Sequence, residues 1–272
     1  MSETTYEHIR VDVEEGGIAV LTFDRPEVRN AMHLPMNLEI RAALGALATR
    51  EDVRVLIFTG AGDRAFVSGA DIAELRARTG EVALAAHNAR LCDAIEGFAR
   101  PTIAAIQGFA LGGGCEVALA CDLRVAGRSS RLGQPEVSLG IIPAAGGTWR
   151  LPRIVGLARA KELIYTASII DAEEAGRIGL VNHVVDDGFA LSKARELAGA
   201  IAANSPMAVR LAKVAIDAGR ESSQQTGLSL EALAQSVLYD DDEKMRRMTS
   251  FLEARAARRA ARASEDREKG DD

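Results

Sequence analysis

Apolar and polar positions alternate in two short segments at the start of the chain. In YEHIRVDVE the apolar positions are Ile9, Val11 and Val13, and GGIAVLTFDRP follows after a Gly-Gly pair. Alternation with a period of two on both sides of a glycine turn is typical of a β-hairpin. We therefore predict that the chain opens with two antiparallel strands.

Predicted helices and strands then alternate along the chain. LPMNLEIRAALGALATRE has helical apolar spacing, VRVLIFTGAG is a continuous apolar strand, and EVALAAHNARLCDAIEGF predicts one amphipathic helix over 81–98 before the strand TIAAIQG. Such alternation predicts βαβ units and a largely parallel sheet. From about Gly146 onward helical patterns dominate, interrupted by one short strand in LVNHVV. We predict an α/β core that holds the active site over 1–195, a helical C-terminal region over 196–260, and a disordered, charged tail over 261–272.

Composition narrows the class of protein. The chain has 272 residues, 47% of them hydrophobic, which is enough for a large core, and its net charge of −6 argues against nucleic acid as a partner. The start, MSETTYEHIR, is too polar for a signal peptide, and the three cysteines lack the spacing of a metal site or a disulfide framework. The apolar stretch 103–121 contains Gln107, glycines and Glu116, so we assign it to a protein interior and not to a membrane. These features predict a cytoplasmic protein with reduced thiols.

The stretch FALGGGCEVALACD contains the first candidate chemistry, because three glycines precede a helix in an apolar context. Unpaired amides and the dipole at a helix N-terminus bind anions or stabilise an oxyanion, although a tight turn packed on a neighbour explains the glycines equally well. A second glycine turn, FVSGADI, also lies between a strand and a helix, so each turn could donate one amide to the same oxygen. No phosphate-binding motif G-x-x-x-x-G-K-[ST] is present. Ser68 and Asp71 are expected to cap the helix after the second turn.

Two glutamates in apolar surroundings are the second candidate. Glu116 directly follows the glycines, and Glu136 lies in LGQPEVSLGIIP. Burial raises the pKa of a carboxyl and suits it to proton transfer near neutral pH. The alternative is that each is a surface glutamate or a member of a buried ion pair. The histidines are scattered and no H-E-x-x-H or C-x-x-C occurs, so we expect no metal.

Together these motifs resemble the crotonase superfamily, the enoyl-CoA hydratases and isomerases. The resemblance runs from LTFDRPEVRNAM to FLEARAARR and is most specific in AGDRAFVSGADI, AIQGFALGGGCEVALACDLRVA, LGQPEVSLGIIPAAGGTWRLPRIVG and DAEEAGRIGLVNHVV. It implies a crotonase-type (ClpP/crotonase-like) spiral of ββα units followed by a helical trimerisation region. It also implies self-association as a trimer or a dimer of trimers.

The resemblance implies a role for each site residue. The amides of Ala70 and Gly113 match an oxyanion hole for the thioester oxygen of an acyl-CoA. Glu116 would hold and activate water, and Glu136 would share the water and deliver a proton to the α-carbon. RPEVRNAM matches a loop that lies along CoA. The residues that match substrate-binding positions are Val28, Ala31, Ser68, Asp71, Ile72, Gly112, Gln134 and Ala144.

The chain also departs from the family pattern. Ala144 stands where glycine is usual, at a position that offers an amide near the catalytic water. Ala254 replaces the lysine of F-x-E-K-R, and Met32 and His33 replace the usual continuation of the CoA loop. The first departure bears on the fit of the water, and the others bear on the contact with CoA.

The function that the resemblance implies is reversible syn hydration of trans-2-enoyl-CoA to 3-hydroxyacyl-CoA. This is a reaction of fatty-acid metabolism that the degradation of branched amino acids and of aromatic compounds also uses. CoA belongs to the substrate, so no cofactor is expected, and neither are nucleic-acid or membrane partners. One alternative is a Δ3,Δ2-enoyl-CoA isomerase, against which the second glutamate argues. Others are an acyl-CoA lyase or hydrolase on the same scaffold, or a non-catalytic RNA-binding relative.

Overall fold

The computed structural model of the chain describes residues 5–77, 79–220 and 222–268, with side chains as far as residue 259. The strands in chain order are β1 (Ile9–Glu14), β2 (Ile18–Phe23), β3 (Val55–Gly60), β4 (Ala65–Val67), β5 (Thr102–Ile106), β6 (Phe109–Leu111), β7 (Leu123–Gly127), β8 (Arg131–Gly133), β9 (Ile169–Asp171) and β10 (His183–Val185). The helices are α1 (Leu34–Ala48), α2 (Ile72–Ala77), α3 (Gly80–Leu84), α4 (His87–Glu96), α5 (Gly113–Ala120), α6 (Gly147–Val155), α7 (Leu157–Tyr165), α8 (Ala172–Arg177), α9 (Ala190–Ala202), α10 (Pro206–Gly219), α11 (Gln224–Tyr239) and α12 (Asp242–Glu268). Short 3₁₀ helices cover Pro26–Val28 and Pro135–Leu139.

The strands form two sheets. The larger has the order β1-β2-β3-β5-β7-β10, and the smaller has the order β4-β6-β8-β9. β1 and β2 pair antiparallel as the predicted hairpin, turning at Gly16 and Gly17, whose φ angles of +82° and +79° favour glycine. The other pairs of the larger sheet are parallel, and so are β4 with β6 and β6 with β8. The prediction of a mixed α/β fold with a largely parallel sheet is confirmed.

The central strands of the larger sheet are buried on both faces. In β3, Leu56 and Phe58 join the core cluster that includes residues of α1, α4 and α5. Val55 and Ile57, which point the other way, pack in a second cluster with alanines of α9. This two-sided burial explains the continuous apolar run of β3, because a parallel strand covered on both faces needs no polar side.

The chain divides into two compact units, Met1–Asn204 and Ser205–Asp272. The division lies beyond the boundary expected at residue 195 because α9 belongs to the first unit. Its residues Ala190, Ala194 and Ala198 recur every four positions and are buried in the second cluster. In the second unit α10 packs against α11. The tail expected to be disordered over 261–272 is helical as far as Glu268, and 269–272 lie outside the described residues.

The helix predicted over 81–98 is two helices, and that prediction is wrong in this respect. α3 ends at Leu84 and α4 begins at His87, with Ala86 between them at a φ of +48°. Leu84 is 83% exposed, whereas Leu91 and Ile95 of α4 are buried. Only α4, the second half of the predicted helix, therefore packs on the core, and the apolar side chain of Leu84 in α3 stays exposed.

The apolar stretch 103–121 forms β5, β6 and α5 of the first unit. Of the helices within the described residues, none has both the length and the apolar character that a membrane span requires.

Candidate active site

Three neighbouring strand ends bring the candidate motifs together. β4, β6 and β8 are adjacent and parallel, so their carboxyl ends lie along one edge of the smaller sheet. The segments that follow these ends are 68–72, 112–116 and 134–136. Ligands commonly bind at the carboxyl edge of parallel strands. Motifs that are far apart in sequence thus meet at one place.

The two glycine turns lie against each other. A Cβ added to Gly114 would lie 2.0 Å from the carbonyl oxygen of Val67, and one added to Gly113 would lie 3.9 Å from the amide nitrogen of Ala70. Only glycine at position 114 lets the start of α5 approach the end of β4 so closely. Within the described part of the chain, the N–H groups of Ala70 and Gly113 have no hydrogen-bond acceptor. Two neighbouring free donors, one of them at a helix N-terminus, can bind an oxygen that carries negative charge.

The RPEVRNAM loop is fixed to the first of these turns. The backbone N–H of Ser68 donates to Arg29 O at 3.1 Å, Met32 N–H donates to Gly69 O at 2.8 Å, and Asp71 N–H donates to Met32 O at 3.0 Å. Main-chain bonds on both sides of Ala70 therefore hold its amide in a defined direction.

Asn30 holds the same loop from the inside. Its fully buried amide donates to Ala61 O at 3.1 Å and to Ala65 O at 2.8 Å, and its Oδ1 accepts from the N–H of Arg25 at 3.0 Å. The loop expected to contact CoA is thus bonded to the residue that follows β3 and to the first residue of β4. It leaves Val28 39% exposed and Ala31 half-buried.

Glu116 is buried in α5, with 3% of its surface exposed. Its Oε1 accepts the backbone N–H groups of Ala145, at 2.6 Å, and Gly147, at 2.8 Å. Burial raises the pKa of the carboxyl, while the two N–H groups and the charge of Arg150 partly offset that rise. Oε2 accepts no hydrogen bond from the described residues. One oxygen is therefore fixed by the protein, and the other is left for a ligand.

Glu136 lies on the other side of the glycine turn. A Cβ on Gly112, whose φ is +51°, would lie 3.2 Å from its Oε1. Burial raises the pKa of Glu136 to about 7; its own backbone N–H opposes this, and the negative charge of Glu116 adds to it. The two carboxyls of the site therefore differ in surroundings, and at neutral pH Glu136 is protonated about half of the time.

Gln134 contacts Glu136 directly. Its amide is almost fully buried, and with its nitrogen facing Glu136 it donates to the two carboxylate oxygens at 3.0 and 3.2 Å. Gln134 was expected at a substrate-binding position. Its contact with Glu136 adds a role that the sequence did not reveal, which is to orient this carboxyl.

Three residues beside Glu116 are missing from the sequence-based prediction. Ala145 and Gly147 supply the amides that bind it, and Arg150 of α6 donates from Nη1 to Ala145 O at 3.0 Å. Ala144, which was expected to matter, is exposed. An arginine next to the glycines of IIPAAGGTWRLP was the available signal, because an arginine in an apolar segment needs buried partners.

The remaining predicted residues lie near the first glycine turn. Asp71 caps α2, its Oδ1 accepting the N–H of Ala73 at 2.9 Å and that of Glu74 at 3.3 Å. Ser68 does not cap this helix, so that prediction is wrong: the helix starts at Ile72, too far along the chain for its hydroxyl. Ile72 is 60% exposed.

The described residues contain no group of three or more His, Cys, Asp or Glu side chains placed to hold a metal ion. The chemistry on offer in this part of the chain is two donor amides and two carboxyls.

Comparison with known proteins identifies relatives of this chain over nearly its whole length. A family model described as enoyl-CoA hydratase/isomerase matches residues 13–259. The crotonyl-CoA hydratase of Syntrophomonas wolfei is 44% identical over 254 residues, which cover 93% of this chain and 97% of that protein. The short-chain-enoyl-CoA hydratase of Clostridium acetobutylicum is 42% identical over 245 residues, covering 89% and 94%.

A solved structure agrees with these relatives. The crystal structure of an enoyl-CoA hydratase from Bacillus anthracis superposes with a TM-score of 0.89 at 40% identity, covering 91% of this chain and 97% of that one. The likeness therefore includes both the sequence and the fold over nearly the whole length.

Proposed function

The chain belongs to the enoyl-CoA hydratase/isomerase family, and we propose that, as an enoyl-CoA hydratase, it adds water reversibly and syn across the double bond of trans-2-enoyl-CoA. The observation that supports this most directly is the pair of unlike carboxyls, Glu116 and Glu136, beside two free backbone donors. Addition of water needs a group that holds the water, a group that supplies a proton, and a site for the charge that develops on the thioester.

The free N–H groups of Ala70 and Gly113 bind the thioester oxygen in this proposal. Withdrawal of electrons from the carbonyl makes the β-carbon electrophilic, and the same donors stabilise the enolate-like transition state. Such donors act most strongly if they are already in place before the reaction. The main-chain bonds around Ala70 and the close contact of Gly114 with Val67 support that condition.

The two carboxyls divide the proton transfers. Glu116, fixed through Oε1, uses its free Oε2 to hold the water and to accept its proton as the oxygen attacks the β-carbon. Glu136, whose pKa of about 7 leaves it partly protonated, delivers the proton to the α-carbon. The water thus contributes its hydroxyl to the β-carbon, and its proton remains in the site to restore the starting state.

Substrate class and assembly extend the proposal. Relatives named for crotonyl-CoA and short-chain enoyl-CoA support a short acyl chain, with the loop 25–32 along CoA. We propose a cytoplasmic homotrimer or dimer of trimers that takes part in fatty-acid metabolism without a cofactor. Exposed apolar side chains in the second unit support self-association: Leu228, Leu233, Val237 and Phe251. Sedimentation analysis tests the assembly separately from the chemistry.

The experiment that tests the function follows the loss of enoyl-thioester absorbance with crotonyl-CoA. We expect the wild type to be active, and Glu116→Gln and Glu136→Gln each to lower the rate by roughly 10²–10⁴, the usual contribution of a placed acid or base. Glu51→Gln, at an exposed position outside the site, controls for the loss of one charge.

An isomerase gives a different result in the same assay. It would convert a 3-enoyl-CoA to the 2-enoyl isomer, and one of the two variants would retain that activity. An inactive wild type on both short and long enoyl-CoA thioesters would refute the proposal.

A further inference from the structure

Arg150 connects the segment that binds Glu116 to a neighbouring helix. Its side chain is 4% exposed, and its Nη2 donates to Asp93 Oδ1 at 2.9 Å and to Glu96 Oε2 at 2.7 Å, both on α4. Its Nη1 donates to the carbonyl oxygen of Ala145 at 3.0 Å. The same peptide segment, through the N–H of Ala145, donates to Glu116 at 2.6 Å. One guanidinium thus joins α4 to the backbone that holds the carboxylate.

The local backbone is adapted to this guanidinium. Gly146 has a φ of +98°, and a Cβ there would lie 2.0 Å from Arg150 Nη1. The arginine therefore occupies the space directly beneath the turn between Ala145 and Gly147. Without it, the carbonyl of Ala145 would lose its donor, and the turn would lose its support.

The charge of Arg150 is retained in this buried place. Burial alone would lower its pKa, but hydrogen bonding and charge from Glu96, with help from Asp93, outweigh burial and raise it. Because the guanidinium stays positive, it lowers the pKa of Glu116, in the same direction as the two backbone N–H groups.

The other titratable groups around Glu116 do not provide this effect. Burial raises the pKa of Cys115, on the same helix, to about 12, and burial also raises that of Cys92 on α4, so both thiols are neutral. Glu136, which follows β8, carries negative charge when ionised and opposes the ionisation of Glu116. Among the described residues, Arg150 is therefore the positively charged group that lowers the pKa of Glu116.

We propose that Arg150 is a positioning residue for hydration: anchored by Asp93 and Glu96, it holds the amides of Ala145 and Gly147 on Glu116. The inference rests on the proposed function, because it assigns Arg150 to the group that holds the water. Arg150 itself contacts neither the water nor the acyl-CoA in this scheme.

The test compares variants of Arg150 with a matched buried arginine. Arg150→Met removes the charge and all its hydrogen bonds, Arg150→Lys keeps the charge, and Glu96→Gln weakens the anchor while leaving the arginine. Arg124→Met is the control, since Arg124 is 6% exposed and donates to the backbone carbonyls of Leu180 and Cys121 at 2.7 Å and of Ala118 at 3.3 Å. It thus packs on the last turn of α5, but none of these bonds reaches residues 145–147, which bind Glu116. Each variant is assayed with crotonyl-CoA across pH, and its thermal unfolding is recorded.

We expect Arg150→Met to lower kcat roughly 10–100-fold, the usual result of a slight misplacement of a reacting group, with a much smaller change in KM. The acid limb of its kcat–pH profile should move to higher pH, because Glu116 then ionises less readily. Arg150→Lys and Glu96→Gln should move it less, in the same direction. Arg124→Met should lower the unfolding temperature and leave the acid limb in place.

The outcomes separate the two proposals. If the wild type hydrates neither crotonyl-CoA nor a long-chain enoyl-CoA thioester, the proposed function fails. If the wild type is active and the Arg150 variants keep its acid limb, while losing only as much stability as Arg124→Met, the role of Arg150 is purely structural and the inference is overturned. If Arg150→Met does not fold, the position of the acid limb in the kcat–pH profiles of Arg150→Lys and Glu96→Gln decides the question.

Discussion

Glu136→Gln should inactivate the enzyme and also stabilise it at alkaline pH. The pKa of Glu136 rises from the ordinary 4.5 to about 7 in the folded protein, mainly through burial. A carboxyl whose folded-state pKa is raised contributes stability that is fully present below its unfolded-state pKa and is lost as the pH rises through the folded value. The wild type therefore loses stability between about pH 4.5 and 7 at this site. Glutamine does not ionise, so the variant loses no stability at this site over the same pH range.

The size of the effect follows from the shift. Each pKa unit corresponds to about 1.4 kcal/mol, so the full shift amounts to about 3 kcal/mol. Glu136 is only half-buried, and screening by solvent reduces this to about 1–2 kcal/mol. Glutamine also keeps one oxygen that can accept from Gln134, so the variant retains part of this contact.

Urea unfolding at pH 4.5 and 8.5 measures the difference, at one protein concentration because self-association would add to the apparent stability. These two values lie on either side of the isoelectric point near 5.4, where solubility is poorest. We expect the free energy of unfolding of Glu136→Gln, relative to wild type, to increase by about 1–2 kcal/mol from the lower to the higher pH. Glu51→Gln serves again as the charge control. A relative stability that is equal at both pH values, or that decreases as the pH rises, would refute the reasoning.

Three further substitutions test the framework of the site. Gly114→Ala brings a Cβ within 2.0 Å of the Val67 carbonyl, so we expect a loss of about 3 kcal/mol or more and no hydratase activity, seen by thermal unfolding and the crotonyl-CoA assay. Asn30→Ala leaves two backbone carbonyls without their donor and should lower the free energy of unfolding by about 1–3 kcal/mol. It should also raise KM for crotonyl-CoA more than it lowers kcat. An unchanged KM would argue against a link between this loop and CoA. Asp71→Ala removes the cap of α2 and should cost about 1 kcal/mol, whereas Asp71→Asn should restore most of it.

The sequence was informative where one physical rule dominates. Period-two alternation and a glycine pair predicted the β1–β2 hairpin, and continuous apolar runs predicted the buried parallel strands. The glycine turns were recognised because two of them, GGG and FVSGADI, each lie between a strand and a helix. A single such turn was explained equally well by tight packing. Glu116 and Glu136 stood out because carboxyls are rare in such apolar segments.

The rest depends on contacts between distant segments. The apolar spacing of 81–98 is helical throughout, yet only α4 finds a core to pack on, so α3 separates from it at Ala86. The amides on Glu116 come from Ala145 and Gly147, some thirty residues further along the chain, and backbone N–H groups have no sequence signal. The anchoring of Arg150 by α4 is equally long-range.

The difference between the two carboxyls arises from the kind of donor that each one meets. Glu116 receives fixed backbone N–H groups and the field of a cation, which partly offset the rise that burial causes in its pKa. Glu136 receives a neutral amide from Gln134 and lies near a second negative charge, and burial raises its pKa to about 7. The proposed mechanism uses this difference in surroundings, because two carboxyls with equal surroundings would compete for the same protonation state. In the proposed mechanism, the free energy that Glu136 costs above neutral pH is therefore the direct consequence of having a proton available for the α-carbon. A variant such as Glu136→Gln, which removes this free-energy cost, should therefore also lose hydratase activity.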